Sequence, residues 1–349
     1  MREVEIGGRR VGAGNPVFII AEAGVNHNGK LDLAKRLVDV AVDAGADAVK
    51  FQTFKAEKVM TADAPKAEYQ KVTTSSEESQ LEMAKRLELS FEDFRHLKAH
   101  CDRAGIMFLS TPFDEESVEF LDALGVAAFK VPSGEVINHP FLGHIARRGK
   151  PILLSTGMSC LGEVDEAVRI LRAAGNEQLL LLHCVSNYPA HPADANLRAM
   201  QTMAAAFQVP VGFSDHTPGI EVALAAVALG ACVIEKHFTL DRDLLGPDHR
   251  ASLGPDQLAA LVRGVRTVES ALGHGRKEPA ASEANTAAVA RRSLVAARDI
   301  PAGMAVTREL IAIKRPGYGL PPSALRYIIG RRTKARIPAD TMLELEMFS

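Results

Sequence analysis

Apolar and polar positions alternate in blocks along this chain. Short β-rich runs recur: "VFIIAEAG" from Val17, "DAVKFQTF" from Asp47, "IMFLSTPF" from Ile106 and "AAFKVPSG" from Ala127. Four more follow: "PILLSTGM" from Pro151, "LLLLHCVS" from Leu179, "VGFSDHT" from Val211 and "VIEKHFTL" from Val233. Between them lie amphipathic, alanine- and leucine-rich segments such as "LDLAKRLVDVAVDAG" and "SVEFLDALG". Several close on glycine, the residue that tolerates a left-handed helix cap. Eight β–α alternations in roughly 270 residues are the size and rhythm of a (β/α)8 TIM barrel. An open doubly wound sheet is the competitor, but no G-x-G-x-x-G opens a helix after the first strand. The early "VEIGGRRVG" predicts a hairpin turning at Gly7-Gly8, placed to plug the bottom of a barrel.

The texture changes near the C-terminus. Residues 274–290, "HGRKEPAASEANTAAVA", are polar and alanine-rich and read as a linker, which bounds the barrel at 1–273. From Arg291 to Ser349 come short strands and Pro-Ala-Gly turns, with no long helix beyond a stretch near Leu325. A small β-rich domain of about 60 residues is expected there, near the lower limit for independent folding.

Composition narrows the class. The chain is 47% hydrophobic and 24% charged, ordinary for a soluble globular protein. The longest apolar candidate, "ALAAVALGACVI" from Ala223, is too short to cross a membrane. "MREVEIGGRR" lacks the apolar centre of a signal peptide. Four scattered cysteines without a C-x-x-C pair fit reduced thiols and the cytoplasm, and oppose a structural zinc site. Net charge is −2, yet residues 291–349 hold eleven Lys and Arg against five Asp and Glu. A basic module therefore sits on an acidic body. It fits nucleic acid, a small anionic substrate or a plain solvated face. With 5% aromatics and no Trp there is little surface for stacking bases, so nucleic acid is not expected.

In a barrel, polar inward positions gather at the C-terminal strand ends, where active sites lie. Each run here starts apolar and ends polar. The pleat, with its period of two, puts Glu22, Lys50 with Gln52, Thr111, Lys130, Ser155, Cys184 with Ser186, Ser214 with His216, and Glu235 with His237 on one inward face. His216 and His237, at matching levels of adjacent strands, suit a divalent transition metal with open positions for water or substrate. Two hydrogen-bonded core histidines are the bland alternative. Asp215 and Glu235 beside them are candidates to orient or complete such a site. Lys50 and Lys130, with Thr111, Ser133, Ser155, Ser186 and Ser214 around them, form a receptor for a phosphate, a carboxylate or both. Pairing of the lysines with Glu22 or Glu235, or a Schiff-base lysine, are the other readings. His183 and Lys236 fall on the outward parity, His183 as a packing residue. "GPDHRAS" brings Asp248, His249 and Arg250 above the ring.

Taken together, "IAEAGVNHNG", "AVKFQTF", "FLSTPFD", "FKVPSGE", "LLSTGM", "GFSDHT", "EKHFTL" and "GPDH" resemble the sialic acid synthase family. "RRSLVAARDIPAGMAVT…KRPGYGL" resembles the antifreeze-like (SAF) domain that follows the barrel there, so the resemblance covers nearly the whole chain. It implies condensation of phosphoenolpyruvate with an N-acyl amino sugar, either N-acetylmannosamine or a 2,4-diacetamido-2,4,6-trideoxyhexose. It also implies a divalent metal, manganese first with magnesium or cobalt as alternatives, and a domain-swapped homodimer. By resemblance, His216 and His237 are the metal ligands, and Lys50, Thr111, Lys130, Ser133, Ser155 and Ser214 bind phosphoenolpyruvate. Glu22, Gln52, Tyr188 and Asp248 fall to the sugar, Glu135, with Glu22 as the alternative, to acid/base work, and Arg315 of "KRPGYG" to the partner's sugar site. One departure stands out: some members carry asparagine two residues before the tyrosine, where "VSNYP" has Ser186, with Asn187 beside Tyr188. Which of the two meets the phosphate is open at this point. The alternatives are a Schiff-base aldolase using Lys130 on pyruvate, an enzyme of the same chemistry making octulosonate or heptulosonate phosphates, and a non-catalytic binding protein.

Overall fold

A computed structural model describes residues 3–67, 70, 71, 74 and 78–349. They divide into two compact units, Met1–Gly273 and His274–Ser349.

The first unit opens with the hairpin β1 (Val4–Ile6) and β2 (Arg9–Val11), paired antiparallel. Gly7 and Gly8 make its turn at φ of 55° and 83°, left-handed values that a two-residue hairpin turn requires and glycine supplies without strain. Eight parallel strands follow: β3 (Phe18–Gly24), β4 (Ala48–Thr53), β5 (Met107–Pro112), β6 (Phe129–Val131), β7 (Ile152–Ser155), β8 (Leu179–Cys184), β9 (Val211–Asp215) and β10 (Val233–His237). Their lateral order is β5-β4-β3-β10-β9-β8-β7-β6, with β5 packed on β6 to bring the ends of the sheet together. This is the expected barrel. Gly45, Gly105 and Gly125 cap three of its helices in the left-handed conformation.

Strand parity builds two separate cores. Outward residues such as Ile19, Val49, Phe108, Leu154, Leu181 and Phe213 pack against the surrounding helices. Inward residues of the lower strands, among them Phe18, Ile20, Leu109, Leu153, Leu180 and Leu182, fill the barrel together with Val4, Ile6 and Val11 of the hairpin. The hairpin is thus the bottom plug. Gly7 leaves room for this: a Cβ there would lie 2.6 Å from the Met107 methyl.

The second unit pairs β11 (Ser293–Ala296) with β12 (Ile311–Lys314) antiparallel. Its core joins Leu294, Ile300, Val306, Ile328, Ile337, Leu343 and Phe348. The stretch read as a linker contains a helix, Ala284–Ala290, and Gly317 N donates to Ala288 O at 2.8 Å. Alanine-rich sequence is good helix former as well as linker material, so composition did not separate the two.

Candidate active site

Above the apolar filling, the same inward register turns polar. Glu22 pairs in register with Lys50 on one side and His237 on the other. Gln52 lies beside Thr111, and Ser214 beside Cys184 and Glu235. These side chains open into a cavity of about 460 Å³. Glu22, Lys50, Gln52, Thr111, Lys130, Ser133, Ser155, Ser186, Tyr188, Ser214, His216, His237 and Asp248 all line it.

Its floor is a buried ionic network. Lys50 Nζ lies 2.8 Å from Glu22 Oε2 and 3.5 Å from Glu235 Oε2, and donates to Thr111 Oγ1 at 2.9 Å. Lys130 Nζ lies 3.4 Å from Glu235 Oε1, which also accepts from Ser214 Oγ at 2.8 Å. The lysines therefore pair with the glutamates and face the cavity as well. Burial raises the Glu22 carboxyl, with the neighbouring Glu235 adding to the rise against the pull of Lys50. Burial also acts on Glu235, but Lys130, Lys50 and the Ser214 hydrogen bond outweigh it and hold that carboxyl low. Lys130 is lowered by burial. The network thus carries one firmly ionised carboxylate and one that keeps a proton more readily.

The two histidines meet at the next level, with ring centroids 5.5 Å apart. Tyr188 packs on both, at 4.1 Å from His216 and 5.5 Å from His237. His216 Nδ1 bonds to Val185 O at 2.6 Å, which puts the proton on Nδ1 and leaves Nε2 as a lone-pair donor. His237 Nδ1 is buried and finds no hydrogen-bond partner among the described residues. Burial pushes His216 down to about 4 and His237 well below its usual value, so both are neutral. Neutral imidazole with an unpaired nitrogen is the donor a divalent metal takes, so the pair fits one. Among the described residues no group of three His, Cys, Asp or Glu side chains is arranged to hold an ion. A cation here would draw its other ligands from water or substrate.

Asp215 is not part of this set. It is out of phase with Ser214 and His216, faces outward, and bonds Lys236 at 2.6 Å and Thr217 N at 2.9 Å. The pair is fully buried behind the barrel wall and ties β9 to β10 beside the two histidines. His183, also outward, packs on Phe213 and bonds Ala195 O at 2.8 Å. In the loop after β10, Asp248 faces the cavity, and its carboxyl is raised to about 6 by burial. His249 turns away to Thr239 Oγ1 at 2.7 Å, and Arg250 is exposed.

The two polar residues of "VSNYP" are placed differently. Ser186 lines the cavity, whereas Asn187 is exposed and donates to Pro189 O. Gly157 makes the space, since a Cβ there would lie 2.3 Å from Ser186 Oγ and 2.9 Å from Ser133 Oγ. Gly157 N donates to Ser133 Oγ at 2.9 Å, and Ser155 Oγ is buried without a partner among the described residues. Hydroxyls therefore cluster at the ends of β6, β7 and β8.

One expected site residue lies off the cavity lining. Glu135 is half-buried on a 3-10 turn, Ser133–Glu135, accepts from Asn138 Nδ2 at 2.6 Å, and is not among the residues lining the cavity. Arg315 is exposed in the second unit. Sequence reasoning missed one whole side of the cavity: Val25, Phe54, Val59, Met60, Met83, Ala84 and Leu87, with Gln70 and Gln80. "QLEMAKRL" showed an amphipathic pattern, but periodicity alone could not say that its apolar face would meet a site.

Fold, polar ring and appended module define a (β/α)8 enzyme with a small C-terminal domain. The NeuB family model matches residues 37–277 and the SAF domain model residues 291–349, and the chain belongs to the NeuB family. The N,N'-diacetyllegionaminic acid synthase of Campylobacter jejuni is 50% identical over 312 residues, 89% of this chain and 93% of its own. That of Legionella pneumophila is 49% identical over 336 residues, 95% and 94% of the two chains. The crystal structure of the N-acetylneuraminic acid synthetase of Leptospira borgpetersenii superposes with a TM-score of 0.72 at 39% identity, covering 82% of this chain and 95% of that one. The protein is a transferase, and its activity is of the sialic and legionaminic acid synthase type.

Proposed function

We propose that this enzyme condenses phosphoenolpyruvate with the open-chain form of 2,4-diacetamido-2,4,6-trideoxymannose, giving a nine-carbon 2-keto-3-deoxy acid and phosphate. The observation that carries the reading is the pairing of two buried lysines and a ring of hydroxyls with two neutral histidines in one cavity. The relatives near 50% identity support the choice of sugar over N-acetylmannosamine.

Lys50 and Lys130 hold the anion, and Ser133, Ser155 and Ser186 receive its phosphate oxygens. This fixes C3 of the enol against the aldehyde carbon, a proximity effect. A divalent cation at His216 and His237, manganese in this reading, would supply Lewis acidity toward the aldehyde. C3 bonds to C1 of the sugar, the aldehyde oxygen takes a proton, and water adds at C2. The C2–O bond to phosphate then breaks, and the ketone forms. Glu22, raised in pKa and inside the cavity, is the proton carrier; Glu135, off the cavity wall, is not favoured. Gln52, Tyr188 and Asp248 bind the sugar. In the proposed homodimer, the SAF domain's Arg315 meets the sugar in the other subunit's barrel.

The test is phosphate release from phosphoenolpyruvate with this sugar, its pseudaminic-type isomer and N-acetylmannosamine, with manganese and with chelator. Sugar-dependent, chelator-sensitive release that is fastest with the trideoxymannose is expected. No release with any sugar from folded, metal-loaded protein refutes the reading.

A further inference from the structure

The cavity has two chemically different sides. The hydroxyls of Ser133, Ser155 and Ser186 lie at the ends of β6, β7 and β8. Across the barrel, after β3 and β4, Gln70 and Gln80 line the same side as a continuous apolar wall of Val25, Phe54, Val59, Met60, Met83 and Leu87. The apolar residues form their own cluster, separate from both barrel cores. His216 and His237, at the ends of β9 and β10, lie between the two sides in the strand order. A substrate whose anion sits on the hydroxyl side and whose aldehyde sits at the histidines must run its far end toward the apolar wall.

We propose that this wall is the specificity-determining element, and that it selects a sugar ending in a C6 methyl over one ending in a C6 hydroxymethyl. The inference rests on the condensation proposed above and names residues for its sugar preference. Burying a hydroxymethyl against Val59 and Met83 would leave its hydroxyl unpaired, whereas a methyl loses nothing there. One such group in an apolar pocket discriminates by roughly ten- to two-hundredfold. Val59 and Met60 are half-buried at the cavity edge, while Met83 is buried at 3% exposure.

The experiment compares kcat/KM for the 2,4-diacetamido-2,4,6-trideoxymannose and for its 6-hydroxy counterpart, 2,4-diacetamido-2,4-dideoxymannose, in the wild type, Val59→Thr and Met83→Gln. Val59→Thr keeps shape and places a hydroxyl at the wall, so it stands even where Met83→Gln fails to fold. The ratio of the two sugars is expected to fall about tenfold in favour of the hydroxylated one, with KM for phosphoenolpyruvate within about twofold. An unchanged ratio in Val59→Thr overturns the wall's role while leaving the condensation intact. A wild type that releases phosphate with neither sugar overturns the condensation itself, and the wall's role with it.

Discussion

The lower and upper halves of the barrel interior are built from the same strands and the same parity, yet they do opposite work. Below, Ile20, Leu109, Leu153 and Leu180 interdigitate with the hairpin plug and exclude water. Two residues further along, the same faces present Glu22, Thr111, Ser155 and Leu182, and then Cys184 and the hydroxyls beyond it. The lower half gains from every methylene it buries. The upper half holds charges that burial alone would disfavour, compensated by one another and left facing a cavity. Stability and chemistry are therefore separated by about two residues along each strand, and substitutions should separate them too.

The largest effect is expected in the upper half. Lys130→Met should lower the rate of phosphate release on the order of a thousandfold, with the far-ultraviolet circular dichroism spectrum retained. His237→Ala should abolish the chelator-sensitive part of turnover, a loss of roughly a hundredfold or more. Equilibrium binding of phosphoenolpyruvate, followed by calorimetry, should stay within a few-fold; retained metal-stimulated turnover would remove the histidine pair from the account. Below, Leu153→Ala leaves a cavity in a close-packed layer and should cost about 2–5 kcal/mol in urea unfolding. Its kcat and KM at 25 °C should be near the wild-type values, and a large kcat change would break the separation.

A smaller effect sharpens the boundary. The Asp248 carboxyl is raised from 3.8 to about 6 by burial. Between those values the folded protein keeps a proton that the unfolded chain has released, so stability falls as pH rises through the window. Asp248→Asn removes this dependence and should gain roughly 3 kcal/mol at pH 8, while raising KM for the sugar. Unfolding curves at several pH values, with no difference in slope between the two proteins, would show that this carboxyl titrates normally.

Much of this was legible in the sequence for one physical reason: strand parity is strict. The period of two assigns Glu22, Lys50, Lys130, Ser214 and His237 to one face without knowledge of the fold's details. The same rule excludes Asp215, which adjacency to His216 had suggested as a metal partner. What parity cannot reach is the loops. Glu135 follows β6 through a 3-10 turn that carries it to Asn138, and no periodicity foretells that bend. The apolar wall is likewise contributed by a long β–α connection, whose residues look like ordinary core until the cavity beside them is seen. Among the described residues no helix is long and apolar enough to cross a membrane, in line with the hydropathy of the sequence.

The central claim is that the upper ring joins phosphoenolpyruvate to an aldehyde with cleavage of the C–O bond to phosphate. Its most direct test uses phosphoenolpyruvate labelled with oxygen-18 at the bridging position, the diacetamido sugar and mass spectrometry of both products. The account predicts that the label leaves entirely with phosphate and that the nine-carbon acid is unlabelled. Label retained in the acid, or a borohydride-trapped adduct of pyruvate on Lys130, would contradict it.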